Sequence, residues 1–153
     1  MAISWALSIA SGPVAIVGTM SAAYPALTVL FARLFLGVPF LVWGGMKLRG
    51  GEARLVPVLA AMGLPDAKAL AYLVGICEFV GGVAICIGYP ARTVGVLLGL
   101  WCLATAFVSH RNDSNQLLAH VGMAGGFFVL AVVGAGSASL FGGHPTGLFA
   151  CLP

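Results

Sequence analysis

The chain has 153 residues, 61% of them hydrophobic and only 7% charged, with a formal net charge of +3. A soluble domain carries roughly 25% charged residues, so the seven basic and four acidic side chains here cannot wet a globule of this size, and lipid is the expected solvent of most of its surface. The small, scattered positive charge forms neither a basic run nor a basic–aromatic patch, which sets nucleic acid aside as a partner, and the length suits one domain.

Met1 to Tyr24 is apolar but interrupted by Gly12 and Pro13, and no Lys or Arg precedes it. It therefore lacks the positive start of a signal peptide, although the small residues of "MSAAY" suit a cleavage site and leave processing open. Ser4, Ser8 and Ser11 recur at helical spacing and predict a short helix lying at the interface, outside the main bundle.

The first good span, about 25–47, reads "PALTVLFARLFLGVPFLVWGGMK", close to the ~20 residues that cross a bilayer. Pro25 suits a helix start, Pro39 predicts a kink that neighbouring helices can absorb, and Trp43 and Lys47 mark the far interface. Within the polar connection from Arg49 to Asp66, Leu55, Val58, Leu59 and Met62 fall at i, i+3, i+4 and i+7, which predicts an amphipathic helix on the membrane surface. A second span is predicted over about 68–88, a tight turn at "YPAR", a third span over 91–110, a polar loop at "RNDSNQ", and a fourth span over 117–136. The Gly- and Pro-rich tail, 141–153, is expected to be irregular, with Leu148 to Leu152 touching lipid. The expected fold is thus all-α, an integral membrane four-helix bundle with a short interfacial helix in its first loop. Gly95-x-x-x-Gly99 and Gly122-x-x-x-Gly126 match the small-residue pattern of packed membrane helices, a pattern that 22 glycines also produce by chance.

The first and third connections carry Lys47, Arg49, Arg54, Lys68 and Arg111, against Arg92 alone on the other side. The positive-inside rule then places loops 1 and 3 in the cytoplasm and both termini outward.

Two charges sit deep. Arg33 lies eight residues from the outer end of its span, ~12 Å at the helical rise, and Glu78 lies ten residues from the outer end of the next, ~15 Å. Nearly equal depth on antiparallel neighbours predicts an Arg33–Glu78 pair, since pairing offsets the roughly 2.5–3.5 kcal/mol that a lone mid-membrane charge costs on insertion scales. Such a pair either pins two helices or forms a polar pocket for a headgroup or a proton. His110 closes the third span and His120 opens the fourth, on the same side, where they can meet each other more easily than Glu78. Cys77, Cys86, Cys102 and Cys151 show no CxxC or metal-ligand spacing, and the first three lie in apolar segments as expected of small buried hydrophobes.

Arg33 in "ARLFLG", "GGMK" ending at Lys47, "MGLP", "CEFVGGVAICIGYPAR" and "FVSH", taken in this order, resemble the DoxX-like family of small bacterial membrane proteins over roughly Ala26 to Leu140. The ending "GAGSAS" resembles the family's Gly-rich close; many members continue there to an Asp, where this chain has Leu140 and Phe141. The resemblance implies four transmembrane helices in a bacterial inner membrane, with Arg33, Lys47, Glu78 and His110 at recurrent polar positions. It also implies an accessory role beside quinol oxidase, thiosulfate:quinone oxidoreductase or other membrane redox systems.

The first expectation is therefore a non-catalytic subunit of a quinone-linked redox complex, with no intrinsic cofactor, a quinone or quinol as ligand, and a membrane oxidoreductase or soluble redox enzyme as partner. A small-solute or proton-coupled transporter is the second; it needs broken helices and a repeat, of which only Pro39 offers a hint, and at this length it needs a homo-oligomer. A scaffold that holds a soluble enzyme through loop 1 is the third. No haem-ligand pair, nucleotide loop or Cys–His nucleophile pattern points to a stand-alone enzyme.

Overall fold

The computed structural model describes residues 2–140, with side chains described from residue 24 onward. The tail at 141–153, its expected lipid contact and Cys151 lie outside the described residues, as do the side chains of the Ser4, Ser8 and Ser11 stripe. The elements in order are α1 (Ala2–Leu48), a 3-10 turn (Gly51–Arg54), α2 (Val56–Ala61), α3 (Ala67–Ile87), α4 (Ala91–Ser109) and α5 (Ser114–Val133). Among the described residues, four stretches are long and apolar enough to cross a membrane: Tyr24–Leu48, Ala67–Ile87, Ala91–Ser109 and Ser114–Val133. The protein is an all-helical membrane bundle, and the short helix of the first loop is α2.

Each boundary has a local cause. Helix α1 neither breaks at Gly12 and Pro13 nor starts at Pro25; its backbone is helical from Ala2. Backbone groups left unpaired in an apolar solvent cost several kcal/mol each, so a helix that runs on through proline is the cheaper course. Helix α3 ends at Gly88, which adopts a left-handed φ of 84° and donates to Ala84 O and Ile85 O. Helix α5 starts three residues earlier than the hydrophobic pattern suggests, because the Asp113 carboxylate accepts from the Asn115 and Gln116 amides and caps it.

The bundle is two tight pairs, α1 with α3 and α4 with α5, while α3 and α4, though consecutive, touch little. Glycines set the α1–α3 register. A Cβ on Gly37 would stand 3.0 Å from Gly82 O, and one on Gly44 only 2.7 Å from Gly75 O and 2.5 Å from Phe79 N. The two positions are seven residues apart on each helix, so the backbones meet at two points, two turns apart. Gly95 and Gly99 pack α4 on α5, with Phe127 O and the Phe128 ring 2.9 and 2.7 Å from the missing Cβ positions. The companion motif on α5 behaves differently: Gly126 abuts only the Leu36 side chain, and Gly122 has nothing within 4 Å.

Phe40, Ile85, Leu98, Cys102, Ala124, Phe127 and Leu130 form the buried core. Phe40 and Phe127 meet edge to face at 5.2 Å and tie α1 to α5. Outward, Phe35 is 78% and Val132 76% exposed, the inverted surface of a chain whose solvent is hydrocarbon.

Candidate functional site

Glu78 lies on the inner face of α3 and is 6% exposed. Its Oε2 pairs with the Lys47 ammonium and its Oε1 accepts from the Trp101 indole N–H at 3.0 Å. Helical side chains lean toward their own N-terminus. On antiparallel α1 and α3, Lys47 therefore leans inward from the loop end while Glu78 leans toward that end, and the two converge. Gly75 makes room: a Cβ there would lie 2.9 Å from Lys47 Cβ.

Arg33 does not pair with Glu78. It is 2% exposed and donates through Nε to Ile85 O (3.0 Å), through Nη2 to Cys86 O (2.6 Å), and through Nη1 to Ala135 O (2.8 Å) and Ala138 O (3.0 Å). Two causes overturn the expected pair. The glycine register sets Arg33 beside Ile85 and Cys86, eight residues beyond Glu78 and ~12 Å along the axis. The two side chains also lean in opposite directions. Counting depth from Pro25 misled because α1 has no end there. Arg33 instead serves the last carbonyls of α3, where orphan C=O groups and the helix dipole favour a cation, and it fastens the strand-free stretch after α5; Ile87 O is taken by the Leu140 amide.

Above Glu78 opens a cavity of about 320 Å³ between α2, α3 and α4. Leu55, Val58, Leu59 and Met62, the stripe expected to lie on lipid, form its roof; Leu70, Val74, Ala104 and Val108 form its walls. Lys47, Glu78, Trp101, Thr105 and Ser109 supply its polar groups. The arrangement offers an ammonium donor and a carboxylate, the latter held by an indole, at the end of an apolar chamber, which suits a small polar head on a greasy body.

His110 and His120 do meet, with ring centroids 4.7 Å apart. His120 also stacks on Trp43 at 5.8 Å and shares a hydrogen bond between Nδ1 and Gln116 O at 2.8 Å. Burial and the neighbouring His120 hold the His110 imidazole below its ordinary value, against a smaller opposing pull from Asp113. Neither histidine lines the cavity. Cys77, Cys86 and Cys102 are free thiols, and among the described residues no three His, Cys, Asp or Glu side chains are placed to hold a metal.

The sequence reading missed Trp101, whose indole completes the Glu78 site, and a second buried carboxyl. Glu52, in the 3-10 turn, is 8% exposed, and its Oε1 accepts from the Tyr72 hydroxyl at 3.0 Å. A Trp within an otherwise aliphatic span was the available signal for the first. For Glu52, in a polar connection, no signal set it apart from a solvated charge.

A multi-pass helical membrane protein built around one deep ion pair is thus defined by fold and site. The chain belongs to the DoxX family, whose model matches residues 28–111, the stretch that holds Arg33, Lys47, Glu78 and Trp101. Inner membrane protein YqjF of Escherichia coli K12 is 33% identical over 117 residues, covering 73% of this chain and 88% of that protein. Inner membrane protein YphA of the same organism is 28% identical over 129 residues, 78% of this chain and 91% of that protein. Putative oxidoreductase CatD of Bacillus subtilis 168 is 35% identical over 71 residues, 46% of this chain and 51% of that protein. No solved structure matches.

Proposed function

We propose that this protein is an inner-membrane accessory subunit of a quinone-linked redox system, and that the cavity above Glu78 holds a quinone headgroup. The observation that carries the reading is the Lys47–Glu78 ion pair, held by the Trp101 indole, at the polar end of an apolar chamber within the bundle. The names of the relatives lend support: two are inner membrane proteins and one a putative oxidoreductase.

The residues present fit the group. Lys47 Nζ has N–H groups beyond the one on Glu78 and is a donor suited to a carbonyl oxygen, Glu78 is an acceptor suited to a hydroxyl proton, and the leucine and valine walls suit an isoprenoid tail. A bound quinone supplies reversible uptake of electrons and protons together. Lys47 orients the head, Trp101 holds the Glu78 carboxylate in place through its indole N–H, Glu78 takes or returns a proton at its carboxylate, and the α2 roof covers the chamber. Electrons pass to a partner oxidoreductase, in the membrane or at its surface. The five-to-one Lys/Arg bias supports a cytoplasmic first loop, so the cavity sits in the cytoplasmic half of the bilayer and the termini face outward.

Purification in mild detergent, extraction of bound lipid, and titration of the protein in nanodiscs with a short-chain benzoquinone test the reading. Expected are a co-purifying quinone and saturable quenching of Trp101 emission that weakens at least about tenfold in Glu78→Gln, one charge-assisted hydrogen bond's worth. No bound quinone and no saturable quenching would sink it; solute uptake by proteoliposomes would favour a transporter instead.

A further inference from the structure

We propose that Thr105 is the second hydrogen-bond acceptor of the Glu78 chamber, and that the chamber prefers the reduced, dihydroxy form of its ring, a para-quinol, over the quinone. The proposal deepens the headgroup reading and rests on it.

The hydrogens of the chamber are already assigned. The Trp101 indole N–H is engaged by Glu78 Oε1. The Thr105 hydroxyl donates to Trp101 O at 2.9 Å. A hydroxyl has one hydrogen and two lone pairs, so Thr105 Oγ1 accepts from a ligand and does not donate while that bond stands. Back-bonding of this kind is ordinary on a membrane helix; here it falls on a wall of the chamber, on the residue that follows Trp101 by one turn. The ion-paired Glu78 carboxylate is likewise an acceptor without a hydrogen of its own. Lys47 is the donor beside them. The deep end of the chamber therefore presents two acceptors and one donor.

That inventory distinguishes the two forms of the ring. A quinol brings two hydroxyls. One donates to Glu78 while its oxygen accepts from Lys47, and the other donates to Thr105 Oγ1. A quinone brings two carbonyl oxygens, both acceptors. One meets Lys47, and the other faces the Thr105 lone pairs with no donor, a mismatch that costs about as much as a lost hydrogen bond. The spacing fits. Thr105 stands ~6 Å beyond Trp101 along α4, and the two oxygens of a para-quinol are separated by about one helical turn, ~5.4 Å. The other walls give the second oxygen no alternative partner: α3 contributes Leu70 and Val74, and the α2 roof is aliphatic apart from the Met62 thioether. Ser109, a further turn along α4, is exposed at the loop end. Among the described residues, the polar stripe of the chamber thus runs along α4 from Trp101 through Thr105, with the faces above and opposite left to the ring and its tail.

Anaerobic binding of duroquinone and of duroquinol to the full chain in lipid nanodiscs tests this, with each form captured on the protein, extracted and quantified against empty nanodiscs. Duroquinol is expected to bind at least about fivefold more tightly than duroquinone, one hydrogen bond's worth. Thr105→Val removes the hydroxyl at nearly constant shape; it should weaken duroquinol about fivefold and duroquinone by about twofold at most. Thr105→Ser keeps the acceptor and should keep the parent's preference. A hydroxyl that served packing alone would move both forms together. Equal affinities for the two forms in the parent, or equal weakening of both in Thr105→Val, overturn the second acceptor and leave the headgroup site standing. Binding of neither form overturns the headgroup reading and this one with it. Should Thr105→Val not fold, the same comparison in Thr105→Ala decides.

Discussion

Glu78 and Arg33 are both ionised groups on helices facing lipid, and they are tolerated by different devices. Glu78 has a countercharge and an indole donor. Arg33 has none, and its guanidinium is shared among four carbonyls. A thermal-stability double-mutant cycle separates the two. Lys47→Leu and Glu78→Leu should each destabilise by roughly 3 kcal/mol, the lower end for breaking a buried pair because Lys47 is partly exposed, and the double variant should recover much of the loss. Arg33→Leu and Glu78→Leu should add without coupling. Arg33→Leu alone is expected to cost at least about 3 kcal/mol, the worth of two hydrogen bonds from a charged donor. Coupling between Arg33 and Glu78 above experimental error would contradict the arrangement described here. That these two residues need partners was legible in the sequence, since charges stand out against lipid. Who meets whom was not, because partner choice depends on helix register and on the direction in which each side chain leans.

Register is a property of the element. The α1–α3 seam rests on Gly37 against Gly82 and Gly44 against Gly75, and at Gly44 and Gly82 an added methyl meets backbone rather than a side chain that can turn away. Gly44→Ala and Gly82→Ala are therefore expected to destabilise by about 1–3 kcal/mol, the usual range for overpacking, and to weaken the Lys47–Glu78 pair with the seam. Gly122→Ala, with nothing within 4 Å, should be neutral or slightly stabilising, because alanine is the better helix former. Melting temperatures in one detergent, compared across the three, check this. The spans themselves were legible from hydrophobic runs, and α2 from its i, i+3, i+4, i+7 stripe. The seam was not, because its glycines recur at seven, and a search for pairs four apart finds Gly122, which touches nothing, as readily as Gly95, which packs.

At the scale of the whole molecule, the loop-3 end carries the His110–His120–Trp43 stack. His110 binds its proton less readily in the fold than in the unfolded chain. The unfolded state therefore takes up the proton first as pH falls below the ordinary value of 6.5, and stability should decline from there downward. Melting followed between pH 8 and about 5 should show the decline begin near the unperturbed histidine value, and His110→Gln should flatten it. A decline of equal size in that variant would assign it elsewhere. Orientation is open to a separate check: a single cysteine introduced in the first loop of a Cys-free protein should resist impermeant reagents applied from outside, as the positive-inside rule expects.

The loose contact between α3 and α4 has a consequence for how binding must be measured. Phe40 and Phe127 tie α1 to α5, the Glu78–Trp101 hydrogen bond ties α3 to α4, and the cavity lies between α2, α3 and α4. On the proposed reading, a ligand arrives sideways, out of the hydrocarbon, and its concentration in buffer is not the variable that matters. What governs occupancy is its mole fraction among lipids. Adding empty vesicles to a fixed amount of protein and short-chain quinone should therefore strip the site in proportion to the lipid added, and affinities expressed per lipid should coincide across preparations whose affinities per litre disagree.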